Sequence, residues 1–115
     1  MHAIIETHAY LRAAELAGMT DEEREAAKTT IARNPLVGDE IQGTGGCRKV
    51  RIAGRGKGKS GGYRVITYYG GAEVPVFLLT VFSKGQRADL SQRERNGLAK
   101  ITKTLVPSLG PRFTR

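Results

Sequence analysis

The sequence predicts a single α+β domain: a small antiparallel β-sheet with helices packed on one face, in the order β-α-α-β-β-β-α. Three observations carry that expectation. A chain of 115 residues has enough length for one modest core and not for two. Two capping-box signatures, Thr20-Asp21-Glu22-Glu23 and Ser91-Gln92-Arg93-Glu94, open helical stretches near the two ends. Between them the apolar pattern changes from a helical period to a two-residue period.

Taken in order, His2–Glu6 contains Ile4-Ile5 and reads as a short strand. Thr7 to Ala17 is rich in Ala, Leu and Arg and ends at Gly18, as a short helix with a glycine after its last turn should. The helix opened by Thr20 carries three acids in its first turn, which suits the positive end of its dipole. It should stop at Asn34, because Pro35 disfavours α geometry in the residue before it. Arg48–Ile52 alternates, with Val50 and Ile52 on one side and Lys49 and Arg51 on the other. Tyr63–Tyr69 is rich in aromatic and β-branched residues, and Val74–Phe82 is nearly all apolar, as in a strand buried on both faces. Leu98, Ile101 and Leu105 give the last helix an apolar stripe, which Gly97 weakens by about 1 kcal/mol relative to Ala. Residues 107–115, starting at Pro107, read as an irregular tail of the single domain 1–115.

Charge divides the chain. Residues 1–40 hold eight acids and four bases, whereas residues 41–115 hold fifteen bases and three acids. The formal net charge is +8, and a basic half of this density points to a polyanionic partner, with nucleic acid the commonest. A hydrophobic fraction of 39% with clear apolar runs excludes a disordered basic tail. No apolar stretch approaches the 18 residues of a membrane span and no secretory leader follows Met1, so the expectation is a cytoplasmic protein without membrane contact. Cys47 is the single cysteine, which excludes an internal disulfide and any cysteine-rich zinc site.

Gly54–Gly62 joins two strands as a long cationic hairpin loop with five glycines and three bases. Gly58-Lys59-Ser60 imitates the end of a phosphate-binding P-loop, but the position of its first glycine is Ala53. Gly56, Gly58 and Gly61 match a dinucleotide pattern, yet a strand rather than a helix follows. Neither nucleotide reading holds.

The alternation is more informative. Lys49 and Arg51 project from one strand face roughly 7 Å apart, and Arg64 and Tyr68 of the next strand can share it. Arg55, Lys57 and Lys59 overhang from the loop, and Lys84 and Arg87 leave the third strand nearby. Residues 41–72 contain no acid at all. Any one of these bases alone reads as a solvated charge, but like charges crowded on a sheet face cost stability, and a phosphate backbone would neutralise the set. With aromatic side chains on a sheet and no helix-turn-helix pattern, single-stranded RNA suits it better than duplex DNA.

RNA is cleaved without metal when its 2′-OH attacks the adjacent phosphate. That needs a base, cations for the phosphorane charge and an acid for the leaving oxygen. His2 and His8 lie in the acidic part of the chain, so the base would be a lysine with a pKa depressed by neighbouring cations, or a tyrosine. Such an enzyme is weak alone and needs something to orient its substrate. Asp39-Glu40 reads as loop solvation and Cys47 as a packing residue, so neither a metal nor a cofactor is expected.

The run from Asn34-Pro35 through Gly38-Asp39-Glu40-Ile41-Gln42-Gly43-Thr44-Gly45-Gly46 and Arg48-Lys49-Val50-Arg51, with Gly56–Ile66 and Leu78–Lys84, closely resembles the RelE/ParE superfamily of bacterial toxins. The nearest branch is the HigB-type, RelE-like mRNA interferases. The resemblance implies a toxin of a type II toxin–antitoxin system. It would act as a ribosome-dependent endoribonuclease that cuts translated mRNA in the A site by metal-independent 2′-OH attack. It also implies a cognate antitoxin, helix-turn-helix and HigA-like. By the same resemblance, Lys49 and Arg51 are the basic pair that stabilises charge and moves the proton, and Arg64 binds the scissile phosphate. Lys84 takes the place of an arginine after the last strand, Ser91 stands where classical members have a tyrosine, and Lys57 and Lys59 grip rRNA or mRNA backbone. The candidate catalytic set is therefore Lys49, Arg51, Arg64 and Lys84. The RNA-binding set is Arg48, Arg55, Lys57, Lys59, Tyr68 and Arg87. Two alternatives stay open: a ParE-like gyrase-inhibiting toxin, and a non-catalytic RNA- or ribosome-binding module.

Overall fold

The computed structural model describes residues 1–54 and 62–113, with residues 106–113 as backbone only. The expected hairpin loop at 54–62 falls largely outside the described residues. Eight elements follow one another: β1 (Ile4–Glu6), α1 (His8–Leu16), α2 (Asp21–Arg33), β2 (Asp39–Glu40), β3 (Cys47–Ile52), β4 (Tyr63–Tyr69), β5 (Val76–Ser83) and α3 (Gln92–Phe113). The α+β class and the order of the long elements are as expected. β2, with only two polar residues, had no periodicity to reveal it.

The helix signals act as read. The Thr7 hydroxyl accepts from the Tyr10 amide and caps α1, and Gly18, at φ 76°, follows its end. At α2 the capping box is complete: Thr20 Oγ1 accepts from the Glu23 amide at 3.1 Å and Glu23 Oε1 from the Thr20 amide at 2.8 Å. Ser91 and Glu94 repeat the reciprocal pair at α3, at 3.1 and 2.8 Å.

The strands form one five-stranded sheet in the order β1-β5-β4-β3-β2. β2 through β5 form the antiparallel meander, but β1 lies parallel to β5 at the edge, so the sheet is mixed. Periodicity reports which face a strand buries and says nothing of its neighbour's direction.

The helices also occupy both faces, which corrects the one-faced arrangement. On one side Tyr10, Ala14, Ala27 and Ile31 of α1 and α2 pack with Val50, Tyr63, Val65, Val76 and Leu78. On the other, Leu90, Leu98 and Leu105 cover Cys47, Ile66, Tyr68, Phe77, Leu79 and Phe82. Residues 63–68 of β4 are all buried, and a strand that is buried on both faces needs cover on both. In β5 the register slips: Ile66 opposes Thr80 while Thr67 opposes Leu78, leaving Leu79 extra. The irregularity lets Phe77, Leu79 and Phe82 all join the α3 side despite their uneven spacing.

α3 runs to Phe113, past the point where Pro107 was expected to end it. A proline within a helix removes one donor and clashes with one carbonyl, but the rest of the hydrogen-bond ladder remains available.

A buried polar contact joins the α1–α2 layer to the sheet. The Glu23 side chain is fully buried and accepts from the Tyr63 hydroxyl at 3.0 Å, linking the start of α2 to the start of β4. Replacing Tyr63 with Phe takes that donor from a carboxylate out of reach of water. Leaving a buried partner short of a hydrogen bond costs about 1–3 kcal/mol. Urea unfolding of Y63F should read a loss in that range, larger than for a surface hydroxyl deletion.

Candidate RNA-facing site

β3 and β4 pair so that Arg51 stands directly across from Arg64, and Lys49 across from Ile66. Opposed residues share a face. Lys49, Arg51 and Arg64 therefore lie together on the α3 side, with Asp39 of β2, the cross-strand partner of Lys49. Gly38, Asp39, Lys49, Arg51 and Arg64 line a recess of about 420 Å³. Gly38 sits at φ +92°, and a Cβ there would run into the Lys49 carbonyl, so only glycine lets this wall close on β3.

The three cations differ in setting. Arg51 is exposed, and its side chain forms no hydrogen bond or ion pair with a described residue. Arg64 is 9% exposed, and its Nη1 donates to the Tyr63 carbonyl at 3.2 Å. Lys49 has a carboxylate partner: its Nζ lies 3.1 Å from Asp89 Oδ1. The second oxygen of Asp89 accepts from Arg95 Nη2 of α3 at 3.2 Å. Two guanidiniums and an ammonium on one face supply forked donors and a compact charge, a set suited to a phosphodiester.

The neighbouring bases are also partnered. Arg87 donates to Glu94 at 2.6 Å, and its guanidinium lies 4.7 Å from the centre of the Phe82 ring. Residues 41–72 lack acids, but the fold brings Asp89 of the β5–α3 connection to Lys49, while Glu94 of α3 pairs with Arg87 close by in sequence. Partly exposed pairs of this kind each contribute about 0–1 kcal/mol to stability.

Other expected site residues fall elsewhere. Arg48 projects opposite to Lys49 and donates to the Leu36 and Gly38 carbonyls, so it holds the 36–38 loop rather than facing the recess. Tyr68 does share the Lys49 face, but it is 9% exposed among the α3-side core residues and offers no open ring. Burial raises its hydroxyl pKa. Tyr69 packs with the opposite core. Lys84 is exposed beside the recess end of the sheet, with its amide bonded to the Gly62 carbonyl and its Nζ 3.4 Å from the Ala88 carbonyl. Arg55, Lys57 and Lys59 lie outside the described residues. His2 is bound to the Val74 carbonyl and stacked edge-on to Tyr69 at the far end of the sheet. Cys47 is fully buried, and burial pushes its thiol up to about 11.

The glycine-threonine run proves architectural. Gly43, Gly45 and Gly46 take positive φ. Thr44 bonds the Ile41 carbonyl and the Cys47 amide, and its carbonyl accepts from the Thr102 hydroxyl at 2.9 Å. A Cβ at Gly45 would collide with that hydroxyl, so the loop is shaped to receive α3.

Asp89, Arg95 and Asp39 complete the site and were not legible as members of it. One signal pointed to Asp89: it is the first acid after Glu73 in a long basic and apolar stretch.

A compact α+β domain with a cationic sheet face is the class that fold and site define. The family model for the RelE toxin of the RelE/RelB toxin–antitoxin system matches residues 2–110. The chain belongs to this family of toxin–antitoxin toxins, and membership implies an antitoxin protein as partner. Among solved structures it resembles the E. coli toxin RelE, a double arginine-to-alanine mutant in the free state. The TM-score is 0.56 at 18% identity, covering 88% of this chain and 96% of that one. That likeness speaks to the fold. No helix among the described residues is long and apolar enough to cross a membrane.

Two carboxylates beside the site, Asp89 and Glu94, have lowered pKa values. Asp89 is held down first by the Leu90 amide and then by Lys49, and Glu94 first by Arg87. A lowered folded-state pKa gives stabilisation that is present above the unfolded value, about 4, and lost as pH falls through the folded one. Hydrogen exchange over residues 89–95 should therefore stay constant from pH 7 to pH 5 after correction for intrinsic rates. It should accelerate below about pH 4, and in D89N this acid-dependent step should be reduced.

Proposed function

We propose that this toxin is a ribosome-dependent endoribonuclease that cuts translated mRNA in the cytoplasm. The observation that carries the reading is the β3–β4 register, which sets Arg51 opposite Arg64 with Lys49 two residues along on the same face. In the reaction the 2′-oxygen attacks the adjacent phosphorus and loses its proton. The P–O5′ bond breaks, the 5′-oxygen takes up a proton, and a 2′,3′-cyclic phosphate and a 5′-hydroxyl result. Arg64 grips the scissile phosphate, while Lys49 and Arg51 carry the charge that grows on the phosphorane. Preorganised charge of this kind is worth on the order of 10²–10³ in rate per donor. Lys84 faces the same end of the sheet, and the loop bases Arg55, Lys57 and Lys59 would hold rRNA or mRNA backbone, with Arg87 at the margin.

The site is rich in charge and holds no histidine, so alignment of the attacking hydroxyl must carry a large share of the rate. Held geometry can supply that share, and the ribosome's grip on mRNA is the source proposed here. The antitoxin is proposed to be a helix-turn-helix, HigA-like protein, as the resemblance to HigB-type toxins implies.

Primer extension on mRNA from induced cells should reveal cuts confined to translated regions, with gyrase supercoiling unchanged. Arg51→Ala and Arg64→Ala should each reduce cleavage on purified ribosome complexes about 100-fold. Because Arg64 is buried, Arg64→Lys and a thermal melt accompany it. Wild-type cleavage by a folded Arg64 variant would sink the assignment. Gyrase inhibition without mRNA cuts would favour the ParE-like reading, and ribosome binding without cuts a non-catalytic module.

A further inference from the structure

We propose that Asp89 is a positioning residue that holds the Lys49 ammonium beside Arg51 and Arg64. The inference rests on the ribonuclease reading and assigns a part of that site which the carried-over basic residues leave out. A lysine has four rotatable side-chain bonds and a compact charge with no directional fork, so a bare Lys49 on a strand face would sweep a wide volume. Asp89 removes that freedom because its own carboxylate is fixed. Oδ1 accepts from the Leu90 amide at 2.8 Å and faces Lys49 Nζ at 3.1 Å, while Oδ2 accepts from Arg95 Nη2 at 3.2 Å. The carboxylate is thus tied to both the backbone before α3 and a side chain of its first turn.

Stability does not account for the arrangement. The Lys49 side chain is 26% and that of Asp89 42% exposed, and pairs so accessible to water contribute little. Nor does Asp89 neutralise the face as a whole. Asp39 is the acid that lines the recess, and Arg51 has no ion-pair partner among the described residues. What the contact fixes is place: it links a β3 cation to the α3 layer, so the start of α3 and the strand face move as one.

The test compares wild type, Asp89→Asn, Lys49→Ala and the double variant in single-turnover cleavage of mRNA on defined ribosome complexes, with ribosome concentration varied. Asn keeps the oxygen that caps Leu90 and loses the charge. In D89N the maximal rate should fall about tenfold or more, since a displaced group can cost up to 10² in rate. The half-saturating ribosome concentration should stay within about threefold. In the K49A background, D89N should change the rate by less than about twofold, because coupled residues are not additive. A wild-type rate in D89N, or the same further loss without Lys49, would overturn the positioning role. Melting temperatures matched to wild type exclude unfolding as the cause of any loss. A wild type that cuts no mRNA would instead overturn the ribonuclease reading and remove the reaction this position serves.

Discussion

Everything at the site depends on the pairing of β3 with β4. Their register sets Arg51 against Arg64, and a shift of one residue would turn Lys49 and Arg51 into the α1–α2 core and bring Val50 and Ile52 out. That register is enforced by burial, since Val50, Ile52, Tyr63 and Val65 all sit in one core. The same apolar set that stabilises the domain therefore aims the cations to the opposite face. Gly38 adds a second constraint, for only a residue without Cβ lets the β2 side approach Lys49 so closely.

Two cores, one on each side of the sheet, explain why a chain this short holds a cationic face so firmly. β4 is buried on both sides, and the extra residue in β5 turns enough apolar side chains towards α3 to give that helix a seat. The Thr102–Thr44 bond and the glycines around Thr44 fix where α3 crosses. Its capped N-terminus consequently arrives near the recess, carrying Glu94 and Arg95 with it and following directly on Asp89.

The electrostatics are more balanced than composition implies. A strand pair without acids would repel itself, but Asp89 reaches Lys49 from a segment well separated in sequence, while Glu94 neutralises Arg87 within that segment. Arg48 is satisfied by carbonyls and Arg87 by a carboxylate and a ring. What remains open to an incoming phosphate is narrower than the charge total: Arg51 above all, with Arg64 and Lys49 held in place next to it.

By itself the sequence determined the α+β class, both capping boxes, the long strands and the face shared by Lys49, Arg51 and Arg64. These follow from local hydrogen bonds and from a two-residue period that operates within a few residues. It also carried enough of a family pattern to place the chain among RelE-like toxins, as the match over residues 2–110 shows. Only the tertiary structure decided that β1 runs parallel to β5, that helices cover both faces, that Tyr68 is core and that Arg48 points away. It alone brought Asp89 to Lys49, 40 positions apart in the chain. The reason is physical: periodicity encodes which side of an element is buried, whereas strand direction, the route of a helix across a sheet and long-range ion pairs are set by how the elements pack.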